Sequence, residues 1–176
     1  MLRWCAVDYT GCVNEMIPVE VVGVRVEMPS NQPIVLLKEV NGSKFLPIWV
    51  GAVEATAIAF SQQGLEPPRP LTHDLMKDLL EKLNATLTEV RLTELREGVF
   101  YAELLLHTKE QELVITARPS DAIALALRMK SNIVVSEALM EEAGIEIADT
   151  DNSQANEEVE RFREFLDQIN PEDFGG

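Results

Sequence analysis

Two short stretches of the chain hold residue types that bind phosphates, cations and protons. "RPLTHD" covers residues 69–74, and "RPSD" covers residues 118–121. Each begins with Arg-Pro, continues to a hydroxyl residue and places an aspartate just before an apolar run. Arginine forms paired hydrogen bonds with phosphate, carboxylates bind divalent cations, and histidine exchanges protons near neutral pH. The two stretches are either two similar helix starts or, if the fold brings them together, one site.

Helix capping explains part of both stretches. Thr72 and Ser120 are predicted N-caps, because their hydroxyls can accept hydrogen bonds from backbone amides of the next turn. Asp74 and Asp121 then lie in the first turn, where the helix dipole favours negative charge. Each of these features is worth about 1 kcal/mol or less. The hydroxyls and the acids therefore need no further role.

The arginines Arg69 and Arg118 are not explained by capping, because the positive end of the helix dipole disfavours a cation. They suit a site in which the helix N-terminus and the guanidinium together hold an anion such as a phosphate. The alternative is an Arg–Asp salt bridge that only fastens a loop. Both interpretations stay open at this stage.

Three other residues bear on the chemistry. Glu54 is the one acid in the apolar segment "GAVEATAIAF". Its carboxylate either reaches back to the start of its own helix or points into the same cleft. His73 is a candidate base or metal ligand. Arg128, at the C-terminus of an apolar helix, is predicted to be structural, because a cation suits that end of the dipole.

The hydrophobic pattern predicts the strands and helices that must position these residues. Asn41-Gly42 is a strong hairpin signal, and Pro47 predicts that its strand lies near an edge or a bulge. Gly64 is predicted to end the first helix in the left-handed conformation. The predicted strands cover residues 19–28, 34–40, 44–50, 86–95, 99–108, 112–118 and 132–136, and the predicted helices cover 52–63, 73–83, 121–129 and 137–143.

Charge argues against a general binder of polyanions. The net charge is −15, and the segment from residue 146 onward holds ten acids against two arginines. Nucleic-acid-binding proteins usually present a basic face, so any such contact here must come from local arginines, a metal or a small site. No apolar run approaches the roughly 20 residues that cross a bilayer, and the opening residues lack a signal-peptide pattern. We therefore expect no membrane contact and a cytoplasmic location.

The composition divides the chain into three parts. Residues 1–15 are predicted to be an unstructured or non-native extension, and residues 16–147 a single domain. Residues 148–176 are predicted to be an acidic linker followed by an amphipathic tail helix. The apolar stripe of that helix could dock on the domain, on a sister subunit or on a protein partner. It consists of Val159, Phe162, Leu166 and Ile169.

Four ordered blocks resemble the bifunctional nuclease domain family: "FLPIWVGAVEATAIAF", "GLEPPRPLTHDLMKDLLEKL", "GVFYAELLL" and "ARPSDAIALALR". The resemblance covers about residues 16–147, and the acidic ending is similar to an extension in bacterial members. It implies an α+β fold with a mixed, largely antiparallel sheet, a homo-oligomer, and hydrolysis of both DNA and RNA. The recurrent polar positions of the family match Glu54, Arg69, Thr72, His73, Asp74, Arg118, Ser120 and Asp121.

The resemblance makes a phosphodiester the expected substrate, and the net charge of −15 predicts slow cleavage that needs a divalent cation. Glu54, Asp74 and Asp121 would bind magnesium or manganese, and His73 would be the general base. A phosphate group would be bound by Arg69, Thr72, Arg118 and Ser120. The alternative is a non-enzymatic regulatory module that uses the same arginines to bind an anionic ligand or a protein partner. A third interpretation is a structural oligomer subunit whose Arg–Asp pairs are internal salt bridges.

Overall fold

The structure is a computed structural model that describes residues 15–65 and 67–146. Eight strands and four helices occupy this part of the chain. The strands are β1 (Met16–Glu27), β2 (Gln32–Glu39), β3 (Lys44–Trp49), β4 (Thr86–Arg96), β5 (Val99–His107), β6 (Glu112–Ala117), β7 (Asn132–Ser136) and β8 (Ile145–Glu146). The helices are α1 (Ala52–Gln63), α2 (Thr72–Lys82), α3 (Pro119–Met129) and α4 (Glu137–Ala143).

All eight strands belong to one sheet in the order β6-β5-β4-β7-β1-β2-β3-β8. Neighbouring strands are antiparallel except for β4 and β7, which run parallel. The chain passes through β5, β6 and α3 before β7 returns beside β4, the long connection that a parallel pair needs. The expected α+β fold with a mixed, largely antiparallel sheet is confirmed.

The centre of the sheet is covered on both faces. Val35, Leu36 and Leu37 of β2 are consecutive and all buried, and so are residues 133–136 of β7. Successive side chains of a strand point to opposite faces, so neither face is open to solvent there. α1 packs on β1 and β2, α3 packs on β4, β5 and β7, and α4 packs on β3, β4 and β7.

The two edges of the sheet differ. β3 lies next to the edge, because its outer neighbour β8 has two residues and pairs only with Lys44 and Phe45. The prediction that Pro47 places its strand near an edge is confirmed, since no outer strand needs a hydrogen bond at that position. At the other edge, β5 is the one strand of the described residues that pairs with the six-residue β6, and all residues of β6 except Ala117 are exposed.

The first helix follows the prediction, and the next two begin earlier. α1 spans residues 52–63, and Gly64 ends it at φ 66°, in the left-handed region. α2 begins at Thr72 with Leu71 as N-cap, and α3 begins at Pro119 with Arg118 as N-cap. The predictions that Thr72 and Ser120 are N-caps are wrong. In α3 the helix starts at Pro119, because proline suits the first helical position. In α2 the Asp74 carboxylate, rather than the Thr72 hydroxyl, accepts a hydrogen bond at the helix start, from the Leu71 N–H.

α2 is attached by little apolar burial. Among its residues only His73 is fully buried, while Met76 and Leu80 are partly buried against the core. The other apolar side chains at helical spacing, Leu75 and Leu79, are more than half exposed. Polar contacts must therefore contribute strongly to holding this helix in place.

Several sequence-based predictions lie outside the described residues. They concern residues 1–14, and the linker and tail helix from residue 147 onward. The division of the chain into three parts stays a prediction. Within residues 15–65 and 67–146, no helix is long and apolar enough to span a membrane.

Candidate functional site

Three helices contribute to one group of polar side chains, the Arg118 cluster, made of Glu54, His73, Arg118 and Asp121. Asp121 Oδ1 lies 3.0 Å from His73 Nε2 and 3.1 Å from Arg118 Nη2. Asp121 Oδ2 accepts a second hydrogen bond from Arg118 Nε at 2.8 Å. Arg118 Nη2 also lies 2.9 Å from Glu54 Oε1. One guanidinium is thus shared between two carboxylates, and one of these carboxylates also contacts the imidazole.

The positions of these residues follow from the helix starts. Glu54 and Asp121 are each the third residue of their helices, α1 and α3, and His73 is the second residue of α2. The N-terminal turns of all three helices therefore meet at the cluster. Partial positive charge at a helix N-terminus stabilises carboxylates, and it equally favours a bound anion.

Gly51 leaves room for the carboxylate of Glu54. A Cβ atom at this position would lie 2.4 Å from Glu54 Oε2, so the side chain folds back over the start of α1. Glu54 therefore does both things that the sequence left open. It reaches back to its own helix start, and it directs its other oxygen to Arg118.

The cluster lowers the pKa of Asp121. Burial alone raises the pKa of this carboxyl, but hydrogen bonds from Arg118 and His73 and their charges outweigh it, so the pKa lies below its ordinary value of 3.8. The hydrogen bond and the charge of Asp121 raise the pKa of Arg118 in turn. Asp121 is therefore ionised and Arg118 is charged at any pH near neutrality.

Exposure differs within the cluster. The Arg118 side chain is 66% exposed, whereas that of His73 is 9% exposed. Glu54 and Asp121 are intermediate. An incoming anion can thus reach the guanidinium from solvent, while the imidazole lies beneath it, held against Asp121.

Asp74 is not part of the cluster, although it follows His73 directly. Its Oδ1 atom accepts a hydrogen bond from Arg128 Nε at 2.5 Å, and its Oδ2 atom accepts one from the Leu71 N–H at 3.0 Å. Arg128 is only 7% exposed. We call this contact the Asp74–Arg128 pair. Arg128 is structural as predicted, but it binds a carboxylate of another helix rather than only complementing a dipole.

The other predicted phosphate-binding residues lie apart from these contacts. Arg69 is exposed, and within the described residues the ion pairs joining α1, α2 and α3 involve His73, Arg118 and Arg128 instead. Thr72 is exposed at the first position of α2, and Ser120 is buried at the second position of α3.

The predicted metal ligands do not converge. In the part of the chain that the structure describes, no group of three or more His, Cys, Asp or Glu side chains is arranged to hold a metal ion. Asp74 is engaged by Arg128, and Arg118 contacts both Glu54 and Asp121. The donor set as arranged does not fit a metal centre, because each of the three predicted carboxylates contacts a guanidinium through at least one oxygen and Asp74 lies apart from the other two.

Comparison with known proteins gives the family. The family model described as the bifunctional nuclease domain matches residues 35–148, which include all three helices of the site. The chain belongs to the bifunctional nuclease domain family. An uncharacterized protein of Mycobacterium tuberculosis is 51% identical over 161 residues, covering 89% of this chain and 96% of that protein.

Plant members of the family are more distant. Bifunctional nuclease 1 of Oryza sativa subsp. japonica is 26% identical over 133 residues, and Bifunctional nuclease 2 of Arabidopsis thaliana is 29% identical over 120 residues. These matches cover 74% and 66% of this chain but 40% and 36% of the plant proteins. The shared part is therefore the family domain, and the plant proteins hold further sequence with no counterpart here.

Proposed function

We propose that this chain is a nuclease that hydrolyses phosphodiester bonds of DNA and RNA at the Arg118 cluster. The observation that carries the proposal is the convergence of three helix N-termini on an exposed guanidinium next to a histidine–carboxylate pair. Helix N-termini and arginine both stabilise phosphate oxygens. The names of the plant relatives favour a nucleic acid as the substrate. The cytoplasmic location expected from the sequence belongs to the same proposal.

In this proposal each residue of the cluster has a distinct role. Arg118 exchanges a carboxylate for a phosphate oxygen and stabilises the charge that develops on it. Asp121, by accepting from Nε2–H, holds the His73 imidazole in the tautomer whose Nδ1 can take a proton from the attacking water. Glu54 holds Arg118 in place when substrate is absent. Arg69, exposed ahead of α2, would contribute a peripheral phosphate contact.

The requirement for a divalent cation stays a prediction. Net charge favours it, because a chain at −15 repels a polyanion. The arrangement of the carboxylates opposes a metal site, because Arg118 and Arg128 contact the same carboxylates.

The decisive experiment is a cleavage assay on single-stranded DNA and RNA with protein purified to constant specific activity. Asp121→Asn should lose most of the activity, because the amide keeps the shape but not the charge that orients His73. Asp78→Asn, an exposed aspartate of α2, is the matched control and should retain activity. Assays with a chelator, and with magnesium or manganese added back, test whether cleavage requires a divalent cation. Activity that falls at each purification step, or persists in Asp121→Asn, would support the non-enzymatic alternative.

We also propose that the chain forms a homo-oligomer by antiparallel pairing of β6 with β6 of a second copy. Among residues 15–65 and 67–146, no strand pairs with the outer backbone groups of the edge strand β6, and Val114 and Ile115 on it are 61% and 45% exposed. Its sequence ELVITA contains no lysine or proline that would block such pairing. Val114→Lys should convert the oligomer to a monomer in light scattering. A monomeric wild-type chain would refute this proposal.

A further inference from the structure

One buried guanidinium joins the three helices that carry the Arg118 cluster. Arg128 extends from α3, and its Nε donates to Asp74 of α2. Its Nη1 lies 3.0 Å from the carbonyl oxygen of Ala57 in α1 and 3.0 Å from that of Ala124 in α3. A single side chain therefore contacts all three helices.

Each of these contacts lies within one helical turn of a cluster residue. Ala57 is three residues after Glu54, and Ala124 is three residues after Asp121. Asp74 is adjacent to His73. A displacement of any helix relative to Arg128 would thus move a member of the cluster by a similar distance.

Of the three helices, α2 has the fewest other contacts that hold it in place. His73 is the only fully buried residue of that helix, and much of its apolar stripe faces solvent. Asp74 also accepts the hydrogen bond of the Leu71 N–H, so its carboxylate connects Arg128 to the first backbone amide of the helix start. The Asp74–Arg128 pair therefore joins the start of α2, which carries His73, to α3.

We propose that Arg128 is a positioning residue, which fixes His73 against Asp121 through Asp74. This inference rests on the proposed function for its catalytic consequence but not for its structural one. Arginine is needed because Nε and Nη1 contact the carboxylate and the two carbonyls from fixed positions in one plane. Lysine has a single nitrogen and cannot reproduce this fork.

The test compares Arg128→Lys and Asp74→Asn with wild type in the full chain. The chain contains two histidines, so its imidazole nitrogen resonances are few, and His73→Asn assigns them. The His73 resonances should move toward those of Asp121→Asn, and the His107 resonances should stay in place. In the cleavage assay, kcat should fall about 10- to 100-fold with little change in KM, as for a misplaced reacting group.

A destabilised control separates positioning from stability. Leu139→Ala removes a core side chain of α4, which packs on strands β3, β4 and β7. It should lower the melting temperature without moving the His73 resonances or kcat. Were Arg128→Lys to behave like Leu139→Ala, the inference would be wrong. If wild type shows no cleavage, the proposed function fails, but the resonances still decide whether Arg128 positions His73. Should Arg128→Lys not fold, Asp74→Asn gives the same readouts.

Discussion

The molecule contains two arginine–aspartate pairs that are similar in chemistry and opposite in setting. The Arg118 side chain, paired with Asp121, is 66% exposed, whereas that of Arg128, paired with Asp74, is 7% exposed. Within the described part of the chain, the exposed guanidinium contacts carboxylates alone, and another anion can replace a carboxylate. The buried one also donates hydrogen bonds to two backbone carbonyls, one in α1 and one in α3. The same pair of side chains is thus open to solvent in one place and joins helices in the other.

This difference follows from where each arginine lies relative to its helix. Arg118 is the N-cap of α3, so its side chain starts outside the helix, beside the aspartate three residues later. Arg128 lies in the last turn of the same helix, on a buried face. Both aspartates are the third residues of their helices. The two pairs therefore differ in where the arginine lies along α3 and not in where the aspartate lies.

The largest expected effect is on stability. Arg128→Met should lower the free energy of unfolding by about 3 kcal/mol, because it leaves the Asp74 charge partly buried without its partner. Arg118→Met should change it by less than about 1 kcal/mol, as is typical of an exposed ion pair. Urea denaturation followed by circular dichroism measures both. Equal losses for the two variants would contradict the distinction between the pairs.

A double-mutant cycle sharpens the same comparison. Arg128→Met combined with Asp74→Asn should be more stable than the sum of the single effects by about 1 to 3 kcal/mol, because the second change removes the unpaired charge. The same cycle at Arg118 and Asp121 should give a coupling well below 1 kcal/mol. A larger coupling at the exposed pair than at the buried one would reverse our assignment.

The sequence predicted most of the elements, because their signals are local. Gly64 marks the end of α1 and Pro47 the edge of the sheet through backbone restrictions that depend on no distant contact. The predicted N-caps at Thr72 and Ser120 are wrong. The shared Arg-Pro suggests that the two stretches begin their helices at the same point, but they do not. When the helices are aligned by their third residue, Arg69 lies two residues further from its helix than Arg118, so the two stretches are not equivalent.

The site was predictable only in part. Glu54, His73, Arg118 and Asp121 were all identified as candidates, and the structure brings them together. The separation of Asp74 from Asp121 was not predictable, because it depends on how α2 packs on α3. One signal for Arg128 was present in the sequence: it is the one charged residue of α3 after Asp121, and a charge on a buried helix needs a partner.

A smaller effect concerns activity at the exposed pair. Arg118→Lys should reduce kcat/KM about tenfold, because an ammonium cannot give a phosphate two parallel hydrogen bonds. Its stability should stay within about 0.5 kcal/mol of wild type. The cleavage assay and urea denaturation together test this, with Arg96→Lys on the surface of β4 as a matched control. If Arg118→Lys keeps full activity, Arg118 is not a phosphate ligand.

The smallest expected effect is on acid stability. The pKa of Asp121 is lowered in the folded chain, so the folded state holds the ionised form more strongly than the unfolded state does. Its contribution to stability is therefore complete above the ordinary value of 3.8 and is lost as the pH falls below it. Asp121→Asn has no such contribution to lose, so the stability difference between wild type and this variant should shrink below that pH. Urea midpoints measured at pH values on both sides of 3.8 check this. A difference that stays constant across that range would mean that Arg118 and His73 do not stabilise the ionised carboxylate.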